Sequence, residues 1–236
     1  MKQHLGLPRL ERAGLDAWLI RIDEHLDERN IARLQALAHA CEQAFAGQLI
    51  EVVPSYTSLL VQYDCLQLEG EQVRQRLLQL LAQLPEQAHE YQGVTHELPI
   101  WYDPQVGPDL PRLEQHSGLD WQQLVERHAR HSYSVFALGF APGFAFMGLV
   151  PPELRFPRLD SPRRLVPANS LGVAEQQTAI YPSASPGGWN LIGRSCTPLF
   201  DPEQQPPSRL QIGDRVQFQP LSKAEFLRLG GNPEPL

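Results

Sequence analysis

Of the 22 prolines in this 236-residue chain, only Pro8 and Pro54 precede residue 85; the other twenty follow. Proline fixes φ and lacks an N–H, so it breaks helix interiors and central strands. The two parts of the chain therefore cannot share an architecture. The change falls near Pro85–Gly93, a polar stretch without sustained apolar periodicity. We expect a small α+β domain over residues 1–87 and a mostly β domain over residues 88–236.

The hydrophobic period agrees with that division. Trp18, Ile20 and Ile22 alternate with Leu19 and Arg21 as a strand, whereas Ile31, Leu34, Leu37, Cys41 and Phe45 recur at helical spacing up to Gly47, a helix stop. Two strands, Leu49–Val53 and Thr57–Tyr63, are expected on either side of a break at Pro54-Ser55. Val73, Leu77, Leu80/Leu81 and Leu84 mark a second helix. The order βαββα predicts an antiparallel sheet with two helices on one face. Beyond residue 88, Leu98–Tyr102 and Ser132–Phe140 read as strands, and Asp120 caps a helix ending near His131. Short segments follow at Leu171–Ala174, Thr178–Tyr181, Asn190–Ile192 and Arg215–Gln219. Many short strands with dense turn signals predict a closed barrel or a sandwich whose loops carry the function.

Several function classes drop out. The formal net charge of −7 argues against a nucleic-acid or anionic-membrane binder, and no apolar run approaches a membrane span. The N-terminus lacks the apolar core of a secretory signal, and three scattered cysteines make no disulfide framework, so a cytoplasmic protein is expected. The only lysines are Lys2 and Lys223, and no glycine-rich loop precedes either, which removes a P-loop. A biotin-carrying lysine flanked by methionines is likewise missing, so biotin is not carried on this chain.

The remaining candidates sit in the second half. Ser170 in Ala-Asn-Ser-Leu-Gly would be a nucleophile only if a helix followed it; strand follows, so it reads as a turn serine. His128 and His131 lie three apart at a helix end, where imidazole meets the helix dipole favourably; no third ligand is identifiable, so no metal site is assigned. His128 alone is a candidate acid, base or hydrogen-bond donor facing a pocket. Arg155, Arg158, Arg163 and Arg164, stiffened by Pro157, Pro162 and Pro167, form either a solvated charge run or an anion grip. Gly187-Gly188-Trp189 with Arg194 suits close backbone approach to a ligand, or else a tight turn with Trp189 in the core. Phe140, Pro142, Gly143 and Phe144 make an aromatic loop, usable as pocket wall or docking surface.

Taken together these loops resemble one family. Tyr133-Ser-Val-Phe-Ala-Leu-Gly-Phe-Ala-Pro-Gly-Phe is similar to Y-x-V-x-x-L-G-F-x-P-G-F. Val166-Pro-Ala-Asn-Ser-Leu-Gly-Val-Ala, then Gln177-Thr178 and Ile180-Tyr-Pro, is similar to V-P-A-G-S-V-G-I-A-G-x-Q-T-x-I-Y-P. Ser185-Pro-Gly-Gly-Trp-Asn-Leu-Ile-Gly-Arg194 and Leu199-Phe-Asp are similar to S-P-G-G-W-x-L-I-G-R-T-P and L-F-D. The family is the group of the 5-oxoprolinase B subunit, KipI and allophanate hydrolase subunit 1.

That resemblance implies an α+β N-terminal domain followed by an all-β cyclophilin-like barrel. It implies partnership with a homologous barrel subunit (the 5-oxoprolinase C subunit or allophanate hydrolase subunit 2) and with the 5-oxoprolinase A subunit. The assembly would use ATP with Mg to open 5-oxoproline to glutamate, this chain being inactive alone. The family also includes inhibitors of a histidine kinase and carboxyltransferase-related subunits of urea metabolism. The expected site combines His128 and Arg194 as catalytic groups. Phe140, Pro142, Gly143, Phe144, Arg158, Arg164, Gln177, Gly187, Gly188 and Trp189 would bind a small anionic substrate. The chain departs from the pattern at Asn169 and Glu175, each in place of glycine, at Ser195-Cys196 for Thr-Pro, and at Trp101-Tyr-Asp-Pro104 for C-Y-G-G. Asn tolerates left-handed backbone, so the loop at Asn169 should keep its shape.

Overall fold

The computed structural model describes residues 7–85 and 93–235. It separates into two compact units, Met1–Gln92 and Gly93–Leu236. Most of the polar stretch where the division was expected, residues 86–92, lies outside the described residues.

In the first unit β1 (Arg9–Arg12), β2 (Ala17–Arg21), α1 (Arg29–Phe45), β3 (Leu49–Ser55), β4 (Ser58–Tyr63) and α2 (Gly70–Gln83) follow in order. The sheet is antiparallel with order β1-β2-β4-β3. Alternate residues of β2 and β4 turn Trp18, Ile20, Leu59, Val61 and Tyr63 to one face. There Leu34, Leu37, Cys41 and Phe45 of α1 and Val73, Leu77 and Leu81 of α2 pack into the same core. Removing one such side chain, Leu37→Ala, would cost about 2–5 kcal/mol. The helix ends where Ala46 and Gly47 both take positive φ. Two expectations need correction. An extra strand, β1, precedes the βαββα order; its sequence, Arg-Leu-Glu-Arg, has one apolar residue and no alternation, so only its pairing with β2 reveals it. The two expected strands form, but the break between them falls at Tyr56-Thr57, not at Pro54-Ser55. Pro54 lies within β3, opposite Leu59, because β3 is an edge strand and one side of its backbone needs no ladder partner.

The second unit is a closed seven-stranded barrel. Its elements are β5 (Thr95–Trp101), α3 (Leu110–Ser117), α4 (Trp121–Arg130), β6 (Ser132–Leu138), β7 (Ala145–Gly148), a 3₁₀ turn at Pro152–Leu154, β8 (Arg163–Val166), β9 (Ser170–Ala174), β10 (Gln177–Ile180), β11 (Ser185–Gly187), β12 (Asn190–Ser195), β13 (Arg215–Leu221) and α5 (Lys223–Arg228). Around the barrel the order is β10-β7-β6-β13-β5-β12-β9. Closure removes every exposed edge from these short strands. All neighbours are antiparallel except β13 and β5. Leu98, Ile100, Val135, Met147, Leu171, Val173, Ile180, Ile192, Val216 and Phe218 share one core with Leu110, Leu113 and Leu124 from α3 and α4. Asp120 caps α4 as expected, in a reciprocal pair with Gln123. The arginine-rich segment is not loop throughout, since Arg163 and Arg164 open β8, which pairs with β11 of the Gly-Gly segment. Among the described residues no helix is long and apolar enough to cross a membrane.

Candidate functional site

Alternation along β9 and β12 sets which residues face outwards. Leu171 and Val173 enter the barrel core, so Ser170, Gly172 and Ala174 face out. A bulge between Leu191 and Gly193 shifts β12, and Arg194 lands directly opposite both Ser170 on β9 and Trp101 on β5. Tyr181, whose N–H donates to Ser170 O at 2.9 Å, continues the same row on the other side. One outer row of the barrel thus runs Tyr181, Ser170, Arg194, Trp101.

At the Tyr181 end the aromatic loop and the Gly-Gly-Trp segment meet. Phe144 stands edge-on to Tyr181 (5.4 Å between centroids) and Trp189 (5.9 Å), and Phe140 edge-on to Phe144 (5.1 Å). Phe144 and Trp189 are buried in this second core with Val166, Ala179 and Leu191, whereas Phe140 is 66 % exposed. Gly143 (φ +79°) lets the chain pass Phe200, whose Cβ would lie 2.7 Å from an added methyl, and Pro142 beside it is exposed. Gly187 is required because a Cβ there would collide with the Tyr181 hydroxyl. The carbonyl of Gly188 accepts from Leu159 N at 2.7 Å. Arg158 is exposed and places its guanidinium 6.0 Å over the Trp189 ring. Arg164 is also exposed, on β8. Arg163 is instead tied to buried Asp109 (2.8 Å), which also accepts from Leu191 N (2.7 Å). Gln177 starts β10 opposite Gly148 and Ala174. Phe140, Phe144, Arg158, Gly187, Gly188 and Trp189 therefore gather on one patch, with Arg164 exposed on β8 and Gln177 at the start of β10.

Arg194 lies further along the same face, only 2 % exposed. Its Nη1 donates to the backbone carbonyls of Asn232 (3.1 Å) and Glu234 (2.5 Å), so the C-terminal segment covers it. Among the described residues, Nε and Nη2 have no hydrogen-bond partner, and neither do the buried Oγ of Ser170 and Oδ1 of Asn169. Burial lowers the guanidinium pKa, while the charge of Glu234 opposes the shift. Nothing in the sequence near Arg194 signals these partners, which lie 38 and 40 residues away.

His128 is a correction. It has no exposed surface and lies inside the barrel, not at a solvent-facing pocket. Nδ1 lies 2.9 Å from the Tyr102 hydroxyl after β5, and Nε2 3.0 Å from Thr178 Oγ1 on β10. Thr178 already donates to Gly172 O (3.1 Å), so its oxygen accepts from Nε2–H and Nδ1 accepts from Tyr102. The ring stacks on Phe218 at 4.8 Å. Desolvation, helped by the neighbouring His131 charge, pushes its pKa down to about 3, so it is a neutral cross-barrel tie.

Both departures from glycine fall where the backbone demands it: Asn169 has φ +63° and Glu175 φ +53°. The loop at Asn169 keeps a left-handed shape, and Glu175 occupies the first position of the two-residue β9–β10 hairpin.

With this geometry in view, the comparisons with known proteins agree. Residues 8–210 match the family described as carboxyltransferase domain, subdomain C and D. The 5-oxoprolinase B subunit of Bacillus subtilis (strain 168) is 36% identical over 229 residues, 92% of this chain and 95% of that protein. The protein of the same name from Escherichia coli O157:H7 is 47% identical over 124 residues, 52% of this chain and 57% of that one. Among solved structures, TTHA0988 superposes with a TM-score of 0.75 at 40% identity over 87% of this chain, which spans only 40% of that longer chain. The Kluyveromyces lactis urea carboxylase, at 18% identity and TM-score 0.75 over 93% of this chain and 22% of its own, shares the fold. The motifs of the barrel loops, the closed barrel itself and these matches lead to one conclusion: the chain belongs to the carboxyltransferase subdomain C and D family, in the group of the 5-oxoprolinase B subunit.

Proposed function

We propose that this chain is one component of an ATP-dependent 5-oxoprolinase-type hydrolase, inactive alone and acting with two partners, a homologous barrel subunit plus the A subunit. The observation that carries this reading is the end-to-end similarity to a 5-oxoprolinase B subunit, across 92% of this chain and 95% of the relative. The reaction consumes 5-oxoproline, ATP and two waters and yields glutamate, ADP and phosphate. A lactam carbonyl resists water; transfer of the terminal phosphoryl group to its oxygen makes the carbon electrophilic, one water adds there, the ring C–N bond breaks as its nitrogen takes up a proton, and a second water releases phosphate from the acyl phosphate so formed. Guanidinium groups suit such a path because they stabilise charge developing on oxygen. In this chain the working surface is the outer barrel row with its loops: Phe140, Pro142 and the Arg158 guanidinium are exposed on it, Phe144, Trp189 and Tyr181 (with Gly187 leaving room for its hydroxyl) support it from beneath, and Arg194 supplies positive charge under the C-terminal segment.

Among the described residues no group of three His, Cys, Asp or Glu side chains is placed to hold a metal ion, and Mg–ATP, whose phosphates supply most of the metal's ligands, needs no such group. ATP with Mg is a property of the assembly. Co-expression with the two partner subunits should give a stable complex that removes 5-oxoproline only when ATP is added. A complex that forms and leaves 5-oxoproline untouched under those conditions would refute the reading.

A second reading has one observation in its favour. The exposed Phe140 ring at a positive-φ turn suits docking against another protein, as an inhibitor of a histidine kinase would need. Binding to a kinase without any 5-oxoproline turnover would select it.

A further inference from the structure

A guanidinium is costly to bury without an ion pair, and Arg194 is buried with no carboxylate at ion-pair distance among the described residues, the Glu234 charge acting on it from further off. Its hydrogen bonds are also one-sided. Nη1 is held by the carbonyls of Asn232 and Glu234, while Nε and Nη2 are both unpartnered. Those two nitrogens form the side edge of the guanidinium, the edge that takes a carboxylate through two parallel N–H···O bonds. Ser170 is the direct cross-strand neighbour of Arg194, so its side chain lies on the same face at pairing distance, and its hydroxyl is buried without a partner. Two guanidinium donors and one hydroxyl thus stand on directly paired residues of neighbouring strands and use none of their capacity on the protein. The segment over them is held by Arg194 Nη1 itself and by Gln105, whose Nε2 donates to Pro233 O (2.9 Å), while Asn232 Oδ1 closes a turn with Glu234 N.

We infer that Arg194 and Ser170 form a carboxylate-binding site under a strap made of residues 232–235, which must lift before a ligand enters. The ligand class is a small molecule with a free carboxylate. Naming it 5-oxoproline rests on the function proposed above; the site itself rests on the side chains. Strapped and open forms make apparent affinity depend on the open fraction: with a minor state at about 1–10%, removing the strap tightens binding about 10- to 100-fold.

The test is direct binding to this chain alone, by calorimetric titration with L-5-oxoproline, its carboxamide and glutarate. A chain ending at Gly231 keeps the N–H that closes α5 on Phe226 O and removes the strap. Should that chain fail to fold, Gln105→Ala in the full chain loosens the strap by removing its bond to Pro233 O, and binding should tighten in the same direction by a smaller factor. We expect the carboxylates to bind the shortened chain at least about tenfold tighter than the full chain, and the carboxamide not to bind. Arg194→Gln should abolish the interaction, and Ser170→Ala should weaken it about fivefold to tenfold while leaving the fold intact. Equal affinity with and without the strap, or undiminished binding to Arg194→Gln, overturns the inference, as does no binding of either carboxylate. Glutarate binding that depends on Arg194 and the strap, with 5-oxoproline unbound, upholds the site and removes 5-oxoproline as its ligand. An assembly inactive towards 5-oxoproline bears on the proposed function and leaves these binding results standing.

Discussion

The buried imidazole of His128 makes the barrel acid-sensitive in a calculable way. Its folded pKa is pushed down to about 3 by burial, against an ordinary value of 6.5. Between those values the unfolded chain binds a proton that the folded chain refuses, so stability rises with pH through the window and falls as pH drops through it. At pH 5 the unfolded imidazole sits 1.5 units below its own pKa, which at about 1.4 kcal/mol per unit costs the fold about 2 kcal/mol relative to pH 7.5. The result is insensitive to the exact depth of the shift, because pH 5 lies well above the folded pKa. Protonation is opposed by geometry as well: Tyr102 donates to Nδ1, so a second ring proton would face a donor. His128→Gln retains an amide that can donate to Thr178 and accept from Tyr102, but it cannot titrate. Urea unfolding followed by tryptophan fluorescence suits the measurement, since three of the four tryptophans, Trp101, Trp121 and Trp189, lie in the barrel unit. The wild-type chain should lose about 2 kcal/mol more than His128→Gln between pH 7.5 and pH 5. Equal losses in the two proteins would refute the reasoning, because every other histidine is common to both.

Asp109→Ala should cost about 3 kcal/mol in the same assay, since it strands the Leu191 N–H and leaves Arg163 half-buried without its carboxylate; a change below about 1 kcal/mol would show that water replaces it readily. Glu175→Gly should raise stability by about 1 kcal/mol by relieving a positive φ of +53°, and an unchanged or lowered melting temperature would contradict this. Gly187→Ala should destabilise by about 1–3 kcal/mol through its clash with Tyr181, with Tyr181→Phe in the same chain restoring part of the loss. Cys41 is buried, and desolvation raises its thiol to about 12, so a disulfide reagent at pH 8 should modify exposed Cys65 rapidly and leave Cys41 intact until unfolding; equal rates would show that α1 opens in the native state.

Local signals were legible wherever the physics is local. The apolar stripe from Leu34 to Phe45 requires a helix because those positions share one helical face, and Asp120 with Gln123 caps its own helix three residues on. Asn169 and Glu175 could be read as special positions because the residue type expected there, glycine, reports backbone angle rather than contacts. The strand β1 was not legible, since its four residues carry no period and owe their conformation to pairing with β2. The tolerance of Pro54 depends on which strand lies at the sheet edge, a property of the whole sheet.

For the site, the order of residues settles which side chains are available: an aromatic loop, a Gly-Gly-Trp turn, several arginines and a histidine. What they do is set by the folded arrangement. His128 became a neutral internal tie because closing the barrel brings Tyr102 and Thr178, 26 and 50 residues away, to its two nitrogens in a space without water. Arg194 acquired one filled and one open edge because a bulge in β12 turns it outwards beside Ser170, and because the chain returns over it at Asn232–Glu234. Side-chain chemistry belongs to the residue; burial and partners depend on segments far apart in the chain, and no local pattern encodes which of them will meet.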